Sequence, residues 1–413
     1  MKPTVLIATT SPPRWFAPAR LAIALANAGW NVEAICVPRH SIGKTSAVRK
    51  TYTYDGLAPL ISFADAIAAS APDLIISGDD IATLNLHNLY WKEQRRGVSG
   101  TRICALIERS LGAPESFPVL FARSAFAEVA RKEGIRVPKT GIIANAGDLK
   151  EWAASVGFPL VLKADRTSGG EGVRIVQSLD EAERALRTLG APPLMLRAAK
   201  RAILDQDTSL VWPSLLRTRT IVNAQEFIPG REATSLIACW QGTVLASLHF
   251  EVLSKRESAG PATVLRWIDD PDMKSAVEKL ARRLNLSGFH GFDFMLEAGT
   301  GKAYLIEINP RATQVGHLAL GPDRDLPAAL YAAATGQLVQ EAPKVTENNT
   351  IVLFPHEWLR NPKSPYLQSG FHDVPFEEPE LLRACLRTRE KRNAWNSEQK
   401  WNQELSTDQV RRP

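Results

Sequence analysis

At 413 residues, with 45% hydrophobic and 23% charged side chains, the chain predicts a soluble globular protein of two or three packed units. Its net charge of +6 is modest for this length; it argues against a nucleic-acid binder with a dense basic stripe and suits a protein that handles phosphates or carboxylates. Cys36, Cys104, Cys239 and Cys385 lie far apart without CxxC spacing, which argues against a zinc site or disulfide framework and for reduced thiols in a cytoplasmic protein. The apolar run Val5 to Thr9 is too short for a secretory signal and is followed at once by Pro12, Pro13 and Arg14. No stretch approaches the roughly 20 apolar residues that span a bilayer.

In chain order, Val5 to Ala8 predicts a buried strand, 17–29 a helix ended by Gly29, Asn31 to Val37 a second strand, 59–70 a helix and Leu74 to Ser77 a third strand. Strands spaced by helices predict a parallel sheet. Gly78-Asp79-Asp80 falls at the carboxyl end of the third strand, where open α/β sheets bind ligands; an acidic cap on a following helix is an equal reading. Residues 121–134 predict an amphipathic helix, after which a more β-rich segment begins. Phe158 to Ala164 and Gly172 to Gln177 predict strands around a Gly-rich turn, and 179–189 a helix. The stretch 192–220 carries Arg197, Lys200, Arg201, Arg217 and Arg219 and reads as a helical insertion with a basic face. Strands then dominate: Ile221 to Ile228, Thr234 to Trp240, and Thr243 to Phe250. A helix over 272–286, strands over 289–297 and 302–308, and a helix over 325–336 follow. From about 345 the pattern changes, with Pro and aromatic residues over 354–376 and a polar, mobile tail beyond Leu386.

The strand pair 289–297 and 302–308 holds the strongest local signal. Gly291, Asp293 and Met295 share one face of the first strand, and Phe292, Phe294 and Leu296 the other; in the second, Leu305, Glu307 and Asn309 share a face. If Gly299-Thr300-Gly301 is a three-residue connection, Asp293 falls opposite Glu307 and Gly291 opposite Asn309. Directly opposed Cβ atoms are about 4.5–5.5 Å apart. Two carboxylates so close repel, so a hard divalent cation between Asp293, Glu307 and the Asn309 oxygen is the expectation.

Lys163 closes a strand before the turn Arg166-Thr167-Ser168-Gly169-Gly170-Glu171-Gly172, whose glycines let backbone N–H groups approach a phosphate. The Lys precedes the glycines, so this is not a Walker A loop. Gln225 to Glu232 (QEFIPGRE) reads as a strand ending at a Pro-Gly turn that carries a carboxylate.

In order and spacing, these segments resemble the ATP-grasp superfamily from about residue 116 to 336. The resemblance implies a mixed α/β and α+β fold. Residues 1–115 would form a Rossmann-like preceding domain, 116–220 a small lobe with the insertion at 192–220, 221–345 a large lobe, and 346–413 a C-terminal extension with a mobile tail. It implies that Arg123 and Lys163 contact the ATP phosphates and that the turn with Gly169, Gly170 and Gly172 covers them. Gln225, Glu226 and Ile228 would border adenine, and Glu232 would take the ribose hydroxyls. Asp293, Glu307 and Asn309 would hold Mg²⁺, with Mn²⁺ as an alternative ion. Arg311 would steady the transferred phosphoryl group, making Arg311 and Lys163 the catalytic pair.

The string EINPRATQVGHLALG is closest to the carbamoyl phosphate synthetase, biotin carboxylase and amino-acid ligase branch. Thr313 ahead of Gln314-Val315 departs from the biotin carboxylase spacing, and Gly291 stands where D-alanine ligases carry Arg. The implied activity is an ATP-dependent carboxylate–amine or carboxylate–thiol ligase working through an acyl phosphate. A kinase, a carboxylase or a non-catalytic ATP-binding regulator stay open, as does a homodimer; nucleic acid and membrane are not expected partners. Candidate acceptor contacts are Asp79, Asp80, the loop Lys255 to Gly260, Arg266, and Gln314 to His317.

Overall fold

A computed structural model describes residues 2–165, 172–196, 198–199, 211–257, 260–337, 339 and 342–387. The N-terminal part forms a parallel sheet of β1 (Thr4–Ala8), β2 (Asn31–Cys36), β3 (Val48–Thr53) and β4 (Leu74–Ser77), in the order β3-β2-β1-β4. Helices α1 (Ala17–Ala28), α2 (Pro59–Ser70), α3 (Asp80–Gln94) and α4 (Thr101–Leu111) accompany it. Central strand β1 is apolar at successive positions because both its faces are covered: Val5 and Ile7 enter one core, Leu6 and Ala8 another.

Two further sheets follow. A small antiparallel sheet is ordered β5 (Thr140–Ile143), β8 (Val222–Glu226), β6 (Leu160–Ala164), β7 (Val173–Val176). After α5 (Arg123–Lys132), it is backed by α6 (Ala146–Val156) and α7 (Leu179–Gly190), whose Leu149, Ala182 and Leu189 pack on Leu160, Leu162, Val222 and Ala224. The large sheet contains β9 (Gly230–Trp240), β10 (Thr243–Lys255), β11 (Ala262–Trp267), β12 (Gly288–Glu297), β13 (Ala303–Asn309), β14 (Thr350–Val352) and β15 (Phe371–His372), in the order β13-β12-β9-β10-β11-β14-β15. Its β12 residues Phe292, Phe294 and Leu296 pack on α5 and on α8 (Pro271–Arg283). The opposite face, with Leu236, Ala238 and Phe250, shares one core with β1, α1, α9 (Leu326–Thr335) and the C-terminal Leu353 and Leu381.

Several expectations are adjusted. Strands β3, β5 and β11 and helices α4 and α6 were not foreseen, whereas α3 is the helix that the capping reading of Asp79 and Asp80 expects; β3 (VRKTYT) is a largely polar edge strand, so it lacks a buried run. Strand β10 runs on to Lys255, past the expected Phe250. The 346–413 segment is not simply an appendage, since β14 pairs antiparallel with β11 and β15 parallel with β14. The basic insertion falls partly outside the described residues, including Arg197, Lys200 and Arg201; residues 211–215 are helical. The tail from 388 also lies outside them. Among the described residues no helix is long and apolar enough to cross a membrane.

Candidate active site

The expected pairing of Asp293 with Glu307 and of Gly291 with Asn309 is present between β12 and β13, by a different route. The connection has four residues, Ala298 to Gly301, because the Glu297 N–H bonds the Lys302 carbonyl. That sets Phe294 against Leu305, one position away from the register of a three-residue loop. A bulge then absorbs Ile306 between Leu305 and Glu307 and restores the pairing at Asp293. It also breaks the alternation: Leu305 joins Ile308 in the core under α8, opposite to the face expected for it, while Glu307 and Asn309 keep the Asp293 face.

On that face the large sheet builds a row. Thr234 on β9, Asp293 on β12 and Glu307 on β13 are successive cross-strand partners. Thr234 Oγ1 donates to Asp293 Oδ1 at 2.9 Å, and Asn309 Nδ2 donates to Asp293 Oδ2 at 2.9 Å. Burial, and then the facing Glu307, push the Asp293 carboxyl up to about 6. Burial would raise Glu307 too, but Arg123 and Lys163 outweigh it and hold that carboxyl below the usual range.

The cations come from α5, from β6 and from the segment that leaves β13. Arg123, at the start of α5, pairs with Glu307, and its Nε lies 3.8 Å from Asp165 Oδ1. Lys163 is buried on β6; burial, with Arg123 adding to it, pushes its ammonium down to about 8 against the pull of Glu307, Asp293 and Glu232. Arg311, two residues past Asn309, donates from Nε to Asp80 Oδ1 at 2.9 Å and from its NH2 group to Asn309 Oδ1 at 3.3 Å. Thus Arg123, Lys163, Asp293, Glu307, Asn309 and Arg311 come together.

The face of the small sheet away from its helices carries two rows. One is Ile142, Asn223, Lys163 and Val173; the other is Thr140, Gln225, Val161 and Ile175. Ile142 and Ile175 stay exposed, so the face offers an apolar surface beside a buried cation. Gln225 is buried and donates to Thr140 Oγ1 at 3.1 Å; the Glu226 N–H donates to the Lys139 carbonyl. Phe227 to Pro229, with buried Ile228, is the short link from β8 to β9 and so joins the two sheets. Glu232 lies opposite Met295, on the Asp293 face, and accepts from Lys255 Nζ at 2.6 Å. Gly172 is described, but Gly169, Gly170 and the rest of the turn from Arg166 to Glu171 lie outside the described residues, as do Ser258 and Ala259 of the loop after β10.

Sequence reading missed Asp165, Asn223 and Thr234. Asp165 sits two positions after Lys163 and accepts from Asn223 Nδ2 at 2.8 Å; the two meet only because β6 and β8 are neighbours. Among the acceptor candidates, Asp79 is a structural clamp. It caps α3 through the Ala82 N–H at 2.9 Å and accepts from the backbone N–H groups of Thr10 and Ser11 at 2.5 and 3.0 Å. Asp80 holds Arg311, while Arg266 lies 3.8 Å from Glu251.

Asp293, Glu307 and the Asn309 amide form an all-oxygen donor set suited to a hard cation. Among the described residues no cluster of three or more His, Cys, Asp or Glu exists that would hold a metal alone. Two carboxylates and an amide, completed by phosphate oxygens and water, fit Mg²⁺, which commonly binds in this way.

Residues 122–320 match the family described as carbamoyl-phosphate synthase L chain, ATP binding domain. The chain is 24% identical over 204 residues to the carbamoyl phosphate synthase large chain of Kocuria rhizophila, covering 49% of this chain and 17% of that protein. Against the same enzyme chain of Thermus thermophilus it is 25% identical over 237 residues, covering 56% and 21%. The match therefore spans about a fifth of the length of these curated relatives.

Carboxyaminoimidazole ribonucleotide synthase from Aspergillus clavatus, solved with ATP, aligns with a TM-score of 0.58 at 15% identity, over 82% of this chain and 78% of that one. The biotin carboxylase domain of Hydrogenobacter thermophilus 2-oxoglutarate carboxylase, solved with MgADP, ADP and bicarbonate, gives 0.56 at 15% identity, over 83% and 72%. At such identities the likeness shows a shared fold.

Proposed function

Residues 122–320 belong to the ATP-grasp family of ATP-binding domains, and on that premise we propose that this chain is an ATP-dependent ligase that joins a carboxylate to an amine. The observation that carries the reading is the Asp293–Glu307 pair, flanked by Lys163, Arg123 and Arg311. Buried carboxylates opposed across a hairpin repel, and a phosphate-bound cation offsets that repulsion.

In this reading adenine lies against the open face of the small sheet, near Ile142, Ile175 and Gln225, with the Glu226 to Ile228 link at its edge. Glu232 takes the ribose hydroxyls. Lys163 and Arg123 hold the phosphates, Arg123 turning from Glu307 as the cation arrives. Bound Mg²⁺, held by Asp293, Glu307 and Asn309, would neutralise phosphate charge. Arg311 offsets charge on the moving phosphoryl group. The protein's work is positioning, since phosphoryl transfer needs little covalent help. A carboxylate oxygen attacks the γ-phosphorus, ADP leaves, and an amine displaces phosphate from the acyl phosphate.

The division into units at 1–115, 116–220, 221–345 and 346–413 is part of the proposal. Residues 350–373 would contribute to the large lobe, since they extend its sheet and line its edge.

The test is phosphate release by purified protein over a panel of small carboxylates and amines, with mass spectrometry of products. Release that needs both an acid and an amine, with an amide formed, supports the ligase. A stable phosphorylated acid formed without amine identifies a kinase instead.

A further inference from the structure

Among the described residues, three buried polar atoms without a hydrogen-bond partner belong to residues that line one small cavity: Arg20 Nε, Gln314 Oε1 and His317 Nδ1. The cavity lies between the first turn of α1, the segment after Arg311 and residues 353–373 of the C-terminal part. Its volume is ≈ 10 Å³, room for about one non-hydrogen atom.

The polarity of each atom follows from its other bonds. Gln314 Nε2 donates to the Ala262 carbonyl at 2.9 Å, which leaves Oε1 as an acceptor. His317 Nε2 lies 2.7 Å from Asp373 Oδ2; with the Nε2–H given to that carboxylate, Nδ1 keeps its lone pair. Arg20 pairs with the other oxygen of Asp373. Burial opposes charge on Asp373, but His317 and Arg20 outweigh it and hold the carboxyl below its ordinary value. His356, which also lines the cavity, is pushed down to about 4 by burial and so adds no charge near neutrality.

Two acceptors and one donor around a one-atom space suit water or an amino nitrogen. The setting favours the second. Gln314 and His317 follow Arg311 by three and six residues, and the intervening Ala312 N–H is bonded to the Ser77 carbonyl at the end of β4, beside Asp79 and Asp80. An imidazole held through one nitrogen by a buried carboxylate, with its other nitrogen open to a cavity, has the arrangement of a general base.

We propose that this pocket receives the reacting amino group of the acceptor amine, with His317 as the base and Asp373 as its positioning residue; this rests on the ligase reading above. The amine donates N–H bonds to Gln314 Oε1 and His317 Nδ1, and its lone pair turns from the Arg20 Nε–H to the acyl carbon. As the carbon–nitrogen bond forms, its proton passes to Nδ1. The bond from the acyl carbon to the phosphate oxygen breaks, and its electron pair leaves on phosphate. Asp373 stabilises the imidazolium until the proton passes to released phosphate or water. The Pro- and aromatic-rich C-terminal segment thereby contributes a side chain that orients the acceptor chemistry.

The test compares wild type with His317→Gln, using the carboxylate–amine pair found in the product screen and reading amide formed per ADP released. The expected result is a fall of about 100-fold, within the usual range for losing a general base. Hydroxylamine, whose weakly basic nitrogen gives up its proton to water readily once the carbon–nitrogen bond forms, should lose less than about tenfold. Gln314→Ala should raise the KM for the amine more than it lowers kcat. Asp373→Asn, which removes the charge facing His317, should lower the amide-to-ADP ratio with the amine more than with hydroxylamine; should it fail to fold, the His317 and Gln314 variants carry the test. An amide-to-ADP ratio unchanged in His317→Gln would show that the cavity holds only a structural water, leaving the ligase reading intact. Equal losses with both nucleophiles would reduce His317 to packing and also overturn the proposal. A wild type that makes no amide with any pair overturns the ligase reading and this proposal together.

Discussion

Arg123 and Glu307, separated by 184 residues, form an ion pair between the start of α5 and the edge strand β13 of the large sheet. The pair keeps Glu307 charged directly opposite Asp293. Its guanidinium thus stands where a phosphate-bound cation is proposed to act.

This arrangement separates a structural role from a functional one. Glu307→Gln removes the repulsion on Asp293 as it weakens the pair with Arg123, so folding stability should change by no more than about 1 kcal/mol. ATP turnover should fall by about 100-fold or more, the scale on which losing a transition-state electrostatic partner acts. Arg123→Ala should instead lower stability by about 1–3 kcal/mol, below the range for a fully buried pair because both side chains retain some exposure. Added Mg²⁺ should then raise its Tm more than that of wild type. Thermal and denaturant melts with and without Mg²⁺, beside an ADP-release assay, check both variants; a stability loss without a turnover loss in Glu307→Gln contradicts the metal assignment.

Gly291 makes room for the segment that carries Gln314. A Cβ built there would lie 2.6 Å from Thr313 Cγ2 and 3.3 Å from Asn309 Cβ. Gly291→Ala should therefore displace the Thr313 side of this contact, at about 1–3 kcal/mol in stability. It should also raise KM for the acceptor more than KM for ATP. Urea melts and steady-state kinetics read the two effects.

Asp79 was as open to a ligand reading as to a capping one. It now holds the start of α3 and the Thr10 and Ser11 backbone together. Asp79→Ala should cost about 2 kcal/mol or more, since a cap alone is worth about 1 kcal/mol and the loop bonds add to it. Asp79→Asn should recover part of that loss. Thermal unfolding of both variants is the measurement.

Five histidines are held neutral by burial: His87 is pushed down to about 3, and His40, His249, His290 and His356 to about 4. Unfolding restores each towards about 6.5. The unfolded chain therefore binds more protons over the window from about 6.5 down to about 4, and stability falls with pH there. Each group contributes up to about 1.4 kcal/mol per pH unit. Urea midpoints should be flat in this contribution above about pH 7 and drop steeply towards pH 5; replacing His87 by Phe should flatten the drop.

Much of the site was legible because its chemistry clusters in short strings. Lys163 ends a strand, Asp293 alternates with phenylalanines, and Glu307, Asn309 and Arg311 lie within five residues. The hairpin shows how far such reading goes. Its register was reached from a three-residue loop, whereas a four-residue loop and a bulge at Ile306 give the same pairing because their shifts cancel. Spacing specifies which residues oppose only when the strand is regular.

By itself, the sequence determined the parallel sheet at the start, the presence of the β12–β13 hairpin, and the order of charged residues along the chain. Periodicity and local spacing carry that information, since they depend on neighbours a few residues apart. Tertiary structure alone decided that Arg123 meets Glu307, that Asp80 takes Arg311, and that Asp373 reaches back to Arg20 and His317. Those pairs lie between 56 and 353 residues apart, and each exists only because separate sheets and helices pack through shared apolar cores. No local pattern encodes such a contact, because what brings the partners together is burial of surface that neither partner supplies.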